Sequence, residues 1–112
     1  MCLESSFMDE KVRFAMAMRI GRAALGMSQQ EFADMLGVAK STIARNETLE
    51  MVMRAETLTA MIRALRERGV DIDILGSDDV LDVQVREAAV ETLKGRLEDE
   101  SRRRSDRKRP LN

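Results

Sequence analysis

The groups that could do covalent chemistry in this chain are few. Its 112 residues carry twenty carboxylates and nineteen lysines and arginines, but no histidine and one thiol, Cys2. Without histidine there is no imidazole base or ligand, and one cysteine forms neither an internal disulfide nor a thiolate cluster. No hydroxyl stands in a motif with a base, and no glycine-rich phosphate loop occurs, so neither an enzyme nor a resident metal or cofactor is expected. Tryptophan and tyrosine are absent and phenylalanine is limited to Phe7, Phe14 and Phe32. The aromatic platforms that stack splayed bases are therefore missing, whereas duplex DNA, which is read without stacking, stays open as a partner.

What remains is recognition, and one stretch has the form for it. GMSQQEFADMLGVAKSTIARNE, Gly26 to Glu47, reads as two short amphipathic segments hinged on Gly37. Ser28 and Glu31 form a capping-box pattern, after which Phe32, Met35 and Leu36 fall at helical spacing. Gly37 suits a sharp turn because it takes positive φ at no steric cost, Val38 can plug that turn, and a further helix is expected from about Lys40 to about Glu47. Two such helices bury no core of their own, so the flanking elements must supply one.

Upstream, Asp9 is expected to cap a first helix whose buried face is Val12, Met16, Ile20 and Ala23, with Gly26 ending it. Downstream, TLEMVM (48–53) carries no punctuation, and Leu58, Met61, Ile62 and Leu65 then define the clearest helix, stopped at Gly69. From Val70 the period becomes two: Val70, Ile72 and Ile74, then Leu81, Val83 and Val85, alternate with polar residues around GSDD (76–79). That predicts a β-hairpin, which needs either a second copy or the helical part to pack on. Ala89, Val90, Leu93 and Leu97 then mark a last helix. Four regions result: an arm (1–10), a helical domain (11–69), a hairpin-plus-helix dimerisation element (70–100) and a disordered basic tail (101–112). Their net charges differ sharply, +1 over residues 1–69, −7 over 70–100 and +5 over 101–112. Such asymmetry marks separate tasks along a chain.

The ordered set Gln29, Ala33, Gly37 and Ile43 resembles the helix-turn-helix of the phage-repressor and Cro-like regulators, over about Val12 to Gly69. The resemblance implies a mainly α fold, a lambda-repressor-like helical DNA-binding domain, here followed by the β-hairpin and C-terminal helix. It implies a third helix in the major groove, with Lys40, Ser41, Thr42 and Arg45 reading bases, and Gln29 and Arg54 holding phosphates. It also implies an Arg22 to Glu47 pair that orients the helices. Three positions depart from the family's pattern: Asn46 where it is usually apolar, Leu49 in place of a glycine, and Met53 in place of a frequent proline. Asn46 is left with two readings, a cap for the third helix or a contact to DNA.

The function implied is a sequence-specific transcription regulator, a repressor binding double-stranded DNA at an inverted repeat as a homodimer. An alternative is an antitoxin whose acidic C-terminal half neutralises a basic partner protein while the front half autoregulates. The opening MCLESSFMDE lacks the positive start and apolar run of a secretory leader, and no later run approaches the ~20 apolar residues of a membrane span. A cytoplasmic protein is expected.

Overall fold

The computed structural model describes residues 3–77 and 80–108, with side chains described over 10–74 and 80–104. In chain order the elements are α1 (Leu3–Ala24), α2 (Gln29–Leu36), α3 (Lys40–Glu47), α4 (Ala55–Glu67), β1 (Val70–Ser77), β2 (Val80–Val85) and α5 (Glu87–Lys108). Among the described residues no helix is long and apolar enough to cross a membrane.

Helix α1 corrects two expectations. It begins at Leu3, not at an Asp9 cap, so most of the expected arm is helical. Its buried face is also a different one: Ala17, Met18 and Gly21 are buried and Leu25 just beyond is fully so, while Val12 is 39% and Met16 46% exposed. Both stripes have helical spacing, and apolarity alone does not choose between them. Close approach decides the matter, because a Cβ on Gly21 would lie 2.6 Å from Leu65 Cδ1 of α4. The face carrying Ala17, Met18, Gly21 and Leu25 turns inward, with the glycine placed where the helices nearly touch, and the stripe of Val12 and Met16 is left outside.

Around that contact, Met18, Leu25, Phe32, Ile43, Met61, Leu65 and Val70 are fully buried. Helix α4 contributes Met61 and Leu65 as its spacing predicts. The strands pair antiparallel, Val70 opposite Val85, Ile72 opposite Val83 and Asp73 opposite Asp82, with the register broken between Asp73 and Ser77. The hairpin packs on the helical part, since Val70, Ile72 and Ile74 belong to the same core as the helices. Two links fix it there. Arg13 of α1 donates from Nη2 to the carbonyls of Ile74 and Val80, both at 2.7 Å, and the Arg86 amide donates to Gly69 O at 2.7 Å. Gly69, at φ +93°, is required: an added Cβ would stand 3.0 Å from the Ala89 amide nitrogen.

The unpunctuated stretch 48–53 forms the loop between α3 and α4, and there Leu49 takes φ +65°. A non-glycine residue in the left-handed region costs about 1–2 kcal/mol, and Leu49 is 43% exposed, so packing offsets that cost only in part. Leu49→Gly is expected to raise stability by about 0.5 kcal/mol, since relief of strain exceeds the added entropy of the unfolded chain. A fall in the thermal midpoint of this variant would refute the assignment of strain. At the other end, α5 continues to Lys108, so the expectation of a disordered tail from residue 101 gives way to helix as far as that residue; 109–112 lie outside the described residues.

Candidate nucleic-acid interface

Helix α2 starts on a complete capping box. The Glu31 amide donates to Ser28 Oγ and the Ser28 amide to Glu31 Oε1, both at 3.1 Å, and the backbone hydrogen bond from Ser28 and the charge-assisted bond from Arg96 hold the Glu31 carboxyl below its ordinary range. The helix ends at Gly37, left-handed at φ +71°, and the Val38 amide returns to Ala33 O at 3.0 Å. That closure makes the sharp turn a glycine permits. Val38 half-buries itself in it, and Phe32, Ala33 and Ile43, all fully buried, lock α2 and α3 together.

The far ends of this unit are tied by one carboxylate. Arg22 donates from Nε to Glu47 Oε2 at 2.9 Å and from Nη2 to Oε1 at 3.1 Å, and its Nη1 reaches Met27 O at 3.1 Å. Gln29 Nε2 donates to Glu47 Oε1 at 2.9 Å. A bidentate guanidinium and an amide thus satisfy a side chain only 2% exposed, joining the end of α1, the start of α2 and the end of α3. The expected Arg22 to Glu47 contact is formed, with Gln29 as its third member. Burial raises the Glu47 pKa, but the hydrogen bonds from Arg22 and Gln29, with the charges of Arg22 and Arg19, outweigh it and leave the carboxyl below its ordinary 4.5.

A carboxyl whose folded pKa is depressed contributes stability above its unfolded pKa and loses it as the pH falls through the folded value. Glu47→Gln should therefore cost about 1–3 kcal/mol at pH 7, as expected when a buried ion pair loses one charge but keeps its shape. The deficit should shrink as the pH falls from 4.5 through the depressed folded value, where the wild-type carboxyl itself takes up a proton. Denaturant melts at pH 7 and at successively lower pH measure the gap, and one that stays constant to the lowest pH at which the protein folds would rule out the charge as its source.

With its inner face so fixed, α3 turns Lys40, Ser41 and Arg45 outward, all exposed. Thr42 is half-buried, lining a shallow groove with Val38, Met51, Val52, Arg54 and Thr57. Arg54 is exposed at the start of α4. Lys40, Ser41 and Arg45 thus share a face, Thr42 and Arg54 border the groove beside it, and Gln29 lies apart with its side chain engaged by Glu47. Asn46 follows neither reading the sequence left open. It is 3% exposed and donates from Nδ2 to Met51 O at 3.2 Å, so it braces the loop from inside, while Thr48 ends α3.

The start of α3 departs from what local stability favours. Its N-cap is Ala39, with no side-chain hydrogen bond, and its first turn holds no acid but the cation Lys40. A missing cap costs about 1 kcal/mol and a cation at the positive end of a helix a few tenths more. Helix α2, eleven residues earlier, has both devices. Local rules tend to be broken where function needs the group, and here unfilled amides and a lysine together favour an anion.

One structural residue escaped the sequence. Arg96 of α5 donates from Nη1 to Gly26 O at 3.2 Å and to Glu31 Oε2 at 2.8 Å. The contact spans some seventy residues, and no spacing rule signals it. Among protein families, the helix-turn-helix model matches residues 18–72, from the second half of α1 into β1. No curated protein and no solved structure matches the chain.

Proposed function

Residues 18–72 make this chain a member of the helix-turn-helix family of DNA-binding regulators, and from that premise we propose that it is a repressor that binds an inverted-repeat operator as a homodimer. Lys40, Ser41, Thr42 and Arg45 read base edges in the major groove. Lys40 and Arg45 donate to guanine O6 and N7, Ser41 to several edges or to phosphate, and the Thr42 methyl meets a thymine methyl. The Gln29 and Gln30 backbone amides, which the capping box of α2 leaves open, clamp one phosphate and Arg54 another. Since the Gln29 side chain already gives one amide hydrogen to Glu47, its share in that clamp is through its other hydrogen. The dimer places two α3 helices about one helical turn, ~10 bp, or a multiple of it apart, and occludes polymerase.

The observation that carries this reading is the start of α3, where an uncapped helix end and Lys40 are presented outward on a unit locked from within. Phosphate contacts supply most of the affinity, so binding should weaken steeply with salt. A titration of DNA from upstream of the protein's own gene against random duplex, at two salt concentrations, tests it. Preference for the upstream DNA supports the operator; equal binding to both at either salt concentration refutes sequence reading.

A further inference from the structure

Helix α5 is held to the body by its first half. Ala89 is fully buried, Leu93 lies so close over Gly26 that a Cβ there would come within 2.9 Å of its Cδ1, and Arg96 grips Gly26 and Glu31 as described. From Leu97 to Arg104 every side chain is exposed, in a molecule drawn out to 65 × 29 × 27 Å. A helical end of this length standing free is marginal in water, so it calls for a partner. Beside it runs an open apolar groove formed by Val85, Val90, Leu93 and Leu97, with Ala24 of α1 as its wall. Val90 and Leu97 are each 52% exposed, and Val90, Leu93 and Leu97, at i, i+3 and i+7, share one face.

Charge identifies the occupant. From Glu87 to Glu100 the helix carries five carboxylates and two cations, and from Ser101 to Lys108 five cations and one carboxylate. Glu87 and Glu91 stand at the start of the apolar face and Arg102, Arg103 and Arg104 beyond its end, with Glu98, Asp99 and Glu100 between, so the two ends of the helix are complementary when one copy is reversed on the other. We propose that the groove is covered by α5 of a second copy of this chain, laid antiparallel. The apolar middles cross near Leu93 and Leu97, and the basic segment Arg102–Arg104 of each copy lies along the acidic first turns, Glu87 and Glu91, of the other. A parallel pairing would set acid on acid and base on base, which fixes the orientation. Because Arg96 ties α5 to the start of α2, the crossing of the two helices also sets the separation of the two DNA-reading units. The proposal rests on the reading of the protein as a two-fold operator binder and supplies the surface that makes it two-fold.

Analytical ultracentrifugation without DNA tests it independently of operator binding. The wild-type chain should sediment as a dimer, and Val90→Glu/Leu97→Glu as a folded monomer whose circular dichroism loses no more helix than the end of α5 beyond Leu97, since both side chains are half-exposed. Two charge reversals, Glu87→Arg/Glu91→Arg and Arg102→Glu/Arg103→Glu, should each weaken dimerisation roughly tenfold, and the two combined in one chain should restore it. Overturning results are a wild-type monomer at every concentration, which would leave the groove to a different protein, a Val90→Glu/Leu97→Glu dimer, or charge variants that dimerise like wild type. A wild-type monomer that still selects upstream DNA would sink this clasp and spare operator reading. A dimer dissociated by these variants yet blind to that DNA would do the reverse.

Discussion

Replacing Lys40 and Arg45 together by alanine is expected to remove selective DNA binding while leaving the fold intact. A good base contact contributes about 1–3 kcal/mol, so the pair should weaken operator binding by roughly thirtyfold to ten-thousandfold. On random duplex the loss should be smaller, because only the share of each cation that neutralises phosphate is then felt. Stability should move the other way. Both side chains are exposed, neither makes an ion pair among the described residues, and Lys40 sits at the positive end of α3, where its charge opposes the helix dipole. Lys40→Ala should therefore leave the thermal midpoint unchanged or slightly raised. Loss of DNA binding with no loss of stability separates a recognition residue from a packing one. Equal losses on operator and random DNA would demote both residues to phosphate contacts, and loss of stability would return them to the structural side of the ledger.

The helix-turn-helix was legible because its information is local. Ser28 with Glu31, Gly37 with Val38, and the spacing of Phe32, Leu36 and Ile43 all lie within one or two turns of each other, and each acts in the structure as its chemistry suggests. The inward face of α1 was not legible, because it depends on α4 approaching closely enough at Leu65 to demand Gly21, a contact more than forty residues away. Two competing apolar stripes then look alike, and hydrophobicity alone cannot choose between Met16 and Met18. Asn46 was ambiguous for a related reason. Its Nδ2 donates to Met51 O in a loop whose path turns on Leu49 adopting a conformation that leucine seldom takes, while its buried Oδ1 has no protein partner among the described residues. At the candidate interface the residue types of α3 could be read, but not that Thr42 is half-shielded or that Gln29 is drawn into the Arg22 and Glu47 clasp. Those follow from where neighbouring elements leave room.

Phe32→Ala should be the most damaging single substitution in the front half. Among the described residues Phe32 is the largest of the fully buried side chains, on the short helix α2, and the methionines of the same core, Met18, Met53 and Met61, can fill only part of the space it would leave. Deleting a buried aromatic costs about 3–5 kcal/mol, transfer and cavity together, against a total of about 5–15 kcal/mol for a domain of this kind. The thermal midpoint should fall by about 15–20 °C at the usual exchange of several degrees per kcal/mol. Met16→Ala and Met18→Ala provide the comparison that tests the orientation of α1 in the same experiment. Met18, fully buried, should cost about 2–5 kcal/mol, and Met16, nearly half exposed, under about 1 kcal/mol. The order Phe32, Met18, Met16 is what the packing requires; a Met16 variant as damaged as Met18 would mean that α1 is rotated about its axis, placing the bulky stripe in the core after all. The same rotation would carry Arg22 away from Glu47, so α3, which presents Lys40 and Arg45, would lose the brace that sets its angle to α1. Core packing in α1 and DNA reading in α3 should accordingly fail together in that case, through one cause, and only the packing measurement would reveal which.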